Sequence, residues 1–532
     1  MFSCKYYRTK MVNILLFIAD ELRHPTGYES PELKAWLKKN LRFQETLKSK
    51  GVEFKNHYIN TSACVPSRAT IHTGQYPSVH GVTQTDGLAK SAEDPDMHWL
   101  KPGSVPTMGN YFKEAGYKVI LRGKWHITDA TLLTDDERPV PTYDEEGNRL
   151  MDMEDFYISK NVLGEYGYDD WVGPEPHGAN PLNSADAARP PAKGRDEAYK
   201  EQVIESLKKL EKQNDPWLLV ASFVNPHDIT LFGNLTQNNP AYGFPLDDTL
   251  PEKLFTDEFL ASKDQDTRVL PEVQTWYEKM YGVILQPITD LDAYYRHYYT
   301  MQKLVDENML EVYKYLRNSE AYKNTISVFI SDHGDLLSSH GGQFQKWYSA
   351  YQEIIHVPFI IQGRPLGHKP RSVDSLTSHI DILPTLLGLA GLNANKLRRS
   401  LGRRFKLNLP LPGRDLSKPL AYKKRGDSQV YFYTEDNPTK GENQVSPIGV
   451  PYNSAPVPHC VEALLTRVDG VLYKITRYYP DAGEKGKTDY ELFNLDKDPL
   501  EIHNLFNTDE EGDLKLVLID ALRKASFYRL AQ

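Results

Sequence analysis

The sequence predicts an α/β protein. A large, mostly parallel β-sheet sandwiched by helices comes first, then a smaller C-terminal antiparallel sheet with a terminal helix. Three observations predict this. Short, wholly apolar runs recur along the first two thirds of the chain, as in parallel strands buried on both faces. Stretches with helical spacing separate them. Beyond about residue 415 the pattern changes to short alternating runs and one last helical segment.

The first run is Asn13–Ala19 (NILLFIA), which ends in Asp20-Glu21. Val105–Ala115 reads as a helix, and Tyr117–Leu121 (YKVIL) as a strand ending in Gly123-Lys124-Trp125-His126. Asp196–Gln213, rich in Glu, Lys and Leu, predicts the helix before Trp217–Phe223 (WLLVASF). That strand ends in Asn225-Pro226-His227-Asp228. Tyr294–Leu316 has apolar residues three and four apart and precedes Ile326–Ile330 (ISVFI), which ends in Ser331-Asp332-His333-Gly334-Asp335. Val357–Ile361 (VPFII) is expected to be parallel like the others. Residues 229–291, aromatic and rich in Pro, Asn and Asp, follow the third strand's end directly. They read either as a lid or substrate wall, or as an ordinary surface excursion. A boundary near Gly413–Lys424 divides a catalytic domain, 11–415, from a small α+β subdomain, 416–532. There Tyr431–Thr434, Ala463–Val468, Leu472–Thr476 and Tyr490–Pro499 predict the antiparallel sheet. Leu514–Leu530 predicts a helix that packs back or joins subunits, which points to a homo-oligomer.

Composition narrows the function. The 532 residues carry 63 Lys and Arg against 72 Asp and Glu, a net charge of −9. That gives no support for a nucleic-acid partner held by phosphate neutralisation. Charged residues at 25% and hydrophobic residues at 40% suit a globular chain. Cys4, Cys64 and Cys460 form no CxxC pair, which excludes a disulfide scaffold and a thiolate zinc site. No apolar run reaches the length of a membrane span. Val12–Ala19 contains Asn13 and runs straight into Asp20-Glu21. It therefore reads as a buried strand rather than a secretory leader, and a cytoplasmic location is expected.

Ligands of open α/β sheets bind outside the carboxyl ends of the strands. Four strands deliver charged or imidazole groups at that end, which points to one polar site. The segment Cys64-Val-Pro-Ser-Arg68 adds to it. Pro66 suits a first helical turn, so Cys64 sits at a helix N-terminus, where anions are favoured. Arg68 falls on the same face and can fork onto an oxyanion. Taken alone, a buried Cys and a solvated Arg read equally well. A thiolate nucleophile is the rival chemistry. With Arg four residues on and Pro66 between, the phosphate-wrapping loop of cysteine phosphatases is not available. A Cys–His pair stays open but does not explain the acidic strand ends.

Cys64-Val-Pro-Ser-Arg68 resembles the signature of type I, formylglycine-dependent sulfatases of the alkaline phosphatase superfamily. Gly116–His126, Asp332-His333-Gly334-Asp335 and Tyr490–Pro499 resemble further features of that family, in order. The resemblance spans about Asn13 to Leu505. It implies the alkaline-phosphatase-like fold and hydrolysis of a small anionic ester, an arylsulfatase-like sulfuric ester. It also implies conversion of Cys64 to formylglycine by a formylglycine-generating enzyme, the aldehyde hydrate being the nucleophile. Asp20, Glu21, Asp332 and His333, with position 64, would hold one divalent cation. Hard oxygen ligands suit Ca²⁺ or Mn²⁺, with Mg²⁺ less favoured, and the imidazole tilts the choice toward Mn²⁺. Arg68, Lys124 and Lys346 would neutralise the transferred group. His227 would protonate the leaving oxygen, and His126 would take the proton from the remaining hydroxyl so that sulfate is expelled. Glu21, Val65 and His72 depart from the usual family residues. His333 matches choline-sulfatase-like and phosphonate-monoester-hydrolase-like members, where many sulfatases have Asn, so a phosphonate monoester or phosphodiester hydrolase is the alternative. A two-zinc phosphodiesterase would need Ser or Thr in place of Cys64. A catalytically dead, ester-binding relative would keep Cys64 unmodified.

Overall fold

A computed structural model describes residues 11–176, 180–259, 272–366, 370–417, 429–508 and 512–530. Met1–Lys10 with Cys4, part of the 229–291 excursion and most of the expected boundary lie outside the described residues. The seven strands of the large sheet are β1 (Asn13–Asp20), β2 (Val52–Tyr58), β3 (Lys118–Gly123), β4 (Trp217–Pro226), β5 (Thr325–Ser331), β6 (Phe359–Gly363) and β7 (Arg371–Ser378). Their order is β3-β4-β1-β5-β6-β2-β7.

β1 lies between β4 and β5 and is parallel to both, with Ile14 opposite Leu218 and Ile326. Every residue from Ile14 to Ala19 is at 0% exposure. Both faces are covered, so the run is continuous rather than alternating. Each large apolar side chain there contributes roughly 1.5–3 kcal/mol of burial. The Arg195–Leu210 and Leu291–Asn318 helices cover one face, where Val203, Leu207, Val305 and Met309 meet Leu15, Phe17 and Leu219. The Met108–Glu114 helix belongs to the opposite cluster, with Ile14, Leu16 and Ile18. Its Thr107–Asn110 capping box satisfies its first turn.

One expectation is corrected. β6 is antiparallel to both β5 and β2. A parallel return needs a crossover, usually a helix. The chain between β5 and β6 contains only two four-residue helices, Ser339–Gly342 and Gln352–Ile355. It stays at the edge where β5 ended, so β6 starts there and runs back. β2 and β7 carry no apolar run of their own. Glu53 and Lys55 interrupt β2, and Asp374 interrupts β7.

The second sheet, β8 (Val430–Thr434), β9 (Cys460–Val468), β10 (Val471–Tyr479) and β11 (Asp489–Asn494), is antiparallel in the order β11-β10-β9-β8. One face packs on the large domain, where Phe432, Val461 and Phe493 meet Tyr58, Ile354 and Leu376. The other receives the Leu514–Leu530 helix through Leu518, Leu522 and Ala525. The terminal helix therefore packs back onto its own chain. Among the described residues, no helix is long and apolar enough to cross a membrane.

Candidate active site

The carboxyl ends of β1, β3, β4 and β5 converge as the strand endings predict. Asp20 pairs with Pro226 across β1–β4, and Ala19 with Ser331 across β1–β5. Glu21 has a φ of 65°, in the left-handed region. It is held there on both sides: its N–H donates to Asp332 Oδ1 at 3.1 Å, and the Tyr298 hydroxyl donates to its carbonyl at 2.7 Å. The Cys64–Thr73 helix is buried along its whole length and closes on left-handed Gly74. It is pinned to β5 by Ser67 Oγ, which donates to the Asp332 carbonyl at 2.5 Å.

This register places Cys64 against β5. Its Sγ lies 3.1 Å from His333 Nε2 and 3.8 Å from Asp20 Oδ1. Arg68 is at 0% exposure and spans two carboxylates, with 2.9 Å from Nη2 to Asp20 Oδ2 and 2.9 Å from Nε to Asp332 Oδ2. It also donates to Ser222 Oγ at 2.9 Å and to the Lys124 carbonyl at 3.1 Å. Lys124 Nζ is 2.7 Å from Asp20 Oδ2. Lys346 Nζ is 3.1 Å from Glu21 Oε2, and His227 Nε2 is 3.8 Å from the same oxygen. Three buried cations thus face three buried carboxylates.

The electrostatics follow from this packing. Burial pushes the Asp20 carboxyl up, but Lys124, His227, Arg68 and His333 together hold it well below the usual range. Glu21 behaves oppositely. Burial raises it well above a normal carboxyl, and Asp335 adds to the rise against the pull of Lys346. Burial and the Asp20 carboxylate push the Cys64 thiol up to about 11.

The residues fit a hard divalent cation. Ligand atoms of Asp20, Cys64, Asp332 and His333 all lie within 4.8 Å of one another. Arg68 takes Oδ2 of both aspartates, while His333 Nε2 lies 3.6 and 3.8 Å from their Oδ1 atoms. Glu21 falls in an overlapping set with Asp20 and His227. Its Oε1 is buried and accepts no hydrogen bond, the kind of orphan that a cation relieves.

A cavity of roughly 780 Å³ opens above Cys64, and His126, His227 and Lys346 line it. Tyr277, Tyr281, Leu285 and Gln286 line it too, so the described part of the 229–291 excursion forms a wall. Sequence reasoning missed four supporting groups. Asp86 Oδ1 lies 2.7 Å from His126 Nε2. Glu175 accepts from the His126 N–H at 2.7 Å and the Trp125 N–H at 3.3 Å. Ser222 anchors Arg68, and Tyr298 anchors Glu21. None lies in a motif; Asp86 sits in Thr85-Asp86-Gly87, which reads only as a turn.

A family model described as Sulfatase matches residues 12–392. The chain belongs to the sulfatase family. As such it is a sulfuric ester hydrolase. It is 27% identical over 363 residues to an uncharacterized sulfatase of Escherichia coli, a match covering 65% of this sulfatase and 62% of that protein. It is 27% identical over 469 residues to a Delta 4,5-hexuronate-2-O-sulfatase of Bacteroides thetaiotaomicron, covering 86% and 77%. Its fold matches the solved structure of a 2-O GAG sulfatase with a TM-score of 0.66 at 22% identity, covering 98% and 93% of the two chains.

Proposed function

We propose that this sulfatase removes a 2-O-sulfate group from a uronate-type saccharide, with formylglycine at position 64 and one divalent cation. The relatives that carry such names support the saccharide class. The observation that carries the reading is the cavity wall above Cys64. Thr85, Asn234 and Asn239 offer polar groups to sugar hydroxyls, and Trp347 offers a ring face. Lys90 and Lys346 line the same cavity. They would repel a quaternary ammonium leaving group and attract a carboxylate.

Asp20, Glu21, Asp332 and His333 would hold the cation, with Ca²⁺ or Mn²⁺ the best match for these donors. When bound it supplies charge neutralisation at the transferred group and lowers the pKa of a hydroxyl at position 64. The aldehyde hydrate supplies the attacking oxygen. Cys64 is only 2% exposed in the folded chain, so the formylglycine-generating enzyme acts before the Cys64–Arg68 segment is packed.

This chain's own residues do the rest. Arg68 and Lys124 fix Asp20, and with Lys346 they neutralise charge on the sulfuryl oxygens. His227 Nε2 donates the proton to the leaving oxygen. Burial and Lys124 hold its pKa well below the usual value. An anionic ester beside Lys124 and Lys346 would raise it. His126, oriented by Asp86 and Glu175, takes up the proton that product release requires.

Two measurements test the reading. The mass of the peptide containing Cys64 must show an aldehyde or its hydrate; an intact thiol in active protein refutes the nucleophile. Turnover of 2-O-sulfated uronate must exceed that of an aryl sulfate and of a phosphonate monoester. A faster phosphonate reaction would establish the alternative instead.

A further inference from the structure

A second cavity, of roughly 480 Å³, lies on the other side of the β1 terminus and does not include Cys64. Leu22, Arg23 and His24 line it from the β1 end, Leu37 and Leu41 from the Pro31–Asn40 helix, and Phe54, Phe359 and Ile360 from β2 and β6. Two of its lining side chains hold buried donors without acceptors. Gln44 is 6% exposed, and its Nε2 has no hydrogen-bond partner. Arg23 is 2% exposed, and its Nε likewise has none. The other Arg23 nitrogens are engaged, Nη2 with Glu29 Oε1 at 2.6 Å and Nη1 with the Asp335 carbonyl at 3.2 Å. These keep the guanidinium in place while Nε is left over.

Orphaned donors, not acceptors, define what this cavity lacks. A ligand that satisfies them must bring oxygen lone pairs. The mouth sets the sign of its charge. Lys34 and Lys38 line the cavity one helical turn apart, both exposed and in no ion pair among the described residues. Lys48 also lines it together with the two carboxylates that share it, Glu45 at 3.4 Å and Glu53 at 3.2 Å, a group with one net negative charge that Lys34 and Lys38 outweigh. Two uncommitted ammonium groups over two buried N–H donors form a graded anion site, with steering outside and hydrogen bonding inside.

We propose that this cavity binds a small oxyanion, a free sulfate or phosphate or the same group carried on a saccharide. The site is separate from catalysis yet tied to it. One tyrosine hydroxyl, that of Tyr298, donates to the Glu21 carbonyl at 2.7 Å and accepts from the Arg23 N–H at 3.2 Å. The backbone of the residue that would hold the anion is therefore two hydrogen bonds, through Tyr298, from the Glu21 carbonyl.

Equilibrium dialysis of the full chain with labelled inorganic sulfate tests this. The wild type is expected to bind one more ion per chain than the Lys34→Gln/Lys38→Gln double variant. Both lysines are exposed, so that variant folds. Gln44→Met, which keeps the side-chain volume, is expected to weaken the same ion roughly tenfold, one lost hydrogen bond to a charged group. A sulfated disaccharide that displaces the extra label would identify the saccharide-borne form; failure to displace it would identify the free ion. Equal stoichiometry in wild type and double variant would overturn the proposal, as would an extra ion that survives both changes.

Discussion

Replacing Arg68 by Lys keeps one positive charge but discards the fork. Arg68 makes two ion pairs at 2.9 Å, to Asp20 and Asp332, and two hydrogen bonds, to Ser222 and the Lys124 carbonyl. A lysine ammonium cannot reach both carboxylates from this helix position. Asp20 would keep Lys124 at 2.7 Å. Asp332 would lose its cation and keep the Glu21 and His333 N–H groups. Removing the paired cation from a fully buried carboxylate costs about 2–4 kcal/mol. In the proposed function Arg68 also neutralises the transferred group, so kcat/KM should fall roughly 10²–10³-fold. Urea unfolding followed by tryptophan fluorescence measures the first effect, and hydrolysis of a sulfated uronate the second. Excess Ca²⁺ or Mn²⁺ should recover part of the lost stability, because an ion bound only by the folded state relieves Asp332. Wild-type unfolding together with activity within threefold of wild type would refute the bridging role of Arg68.

Four further outcomes are expected. Prolonged chelation should abolish turnover, and Ca²⁺ or Mn²⁺ should restore it in wild type but poorly in Glu21→Gln, as metal analysis and activity titration would report. Asp86→Asn removes the carboxylate 2.7 Å from His126 Nε2 and should lower kcat roughly 10²-fold with little change in KM. Burial pushes Asp306 up to about 7, although the Phe43 and Gln44 N–H groups donate to it. A raised carboxyl pKa adds stability that is complete below about pH 4 and lost as the pH rises through about 7. Unfolding free energies of wild type should therefore decline between about pH 4 and pH 7, by up to about 4 kcal/mol from this group, and those of Asp306→Asn should decline less. Leu518→Ala, which removes a fully buried side chain from the terminal helix, should destabilise its docking by roughly 2–5 kcal/mol in hydrogen exchange of that helix.

The legible parts of the molecule were those whose reasons are local. β1 and β4 are apolar throughout because both of their faces are covered, and a period-independent run says so directly. The Cys64–Thr73 helix announces itself through Pro66 and Gly74. The site was legible to the extent that its groups end strands: Asp20, Lys124, His227 and Asp332 each follow an apolar run.

Sequence by itself therefore determined the α/β architecture, the β-rich C-terminal part and the inventory of charged groups at one sheet edge. Only the tertiary structure decided which charge meets which. The direction of β6 depends on where a connection without a long helix leaves the chain, and β2 and β7 become strands only because partners complete their ladders. Asp86 and Glu175 reach His126 across 40 and 49 residues, and Tyr298 reaches Glu21 across 277. Such pairings leave no periodicity in a sequence. They arise when buried polar groups, brought together by apolar packing, take the partners within reach because burial makes any unmade hydrogen bond expensive.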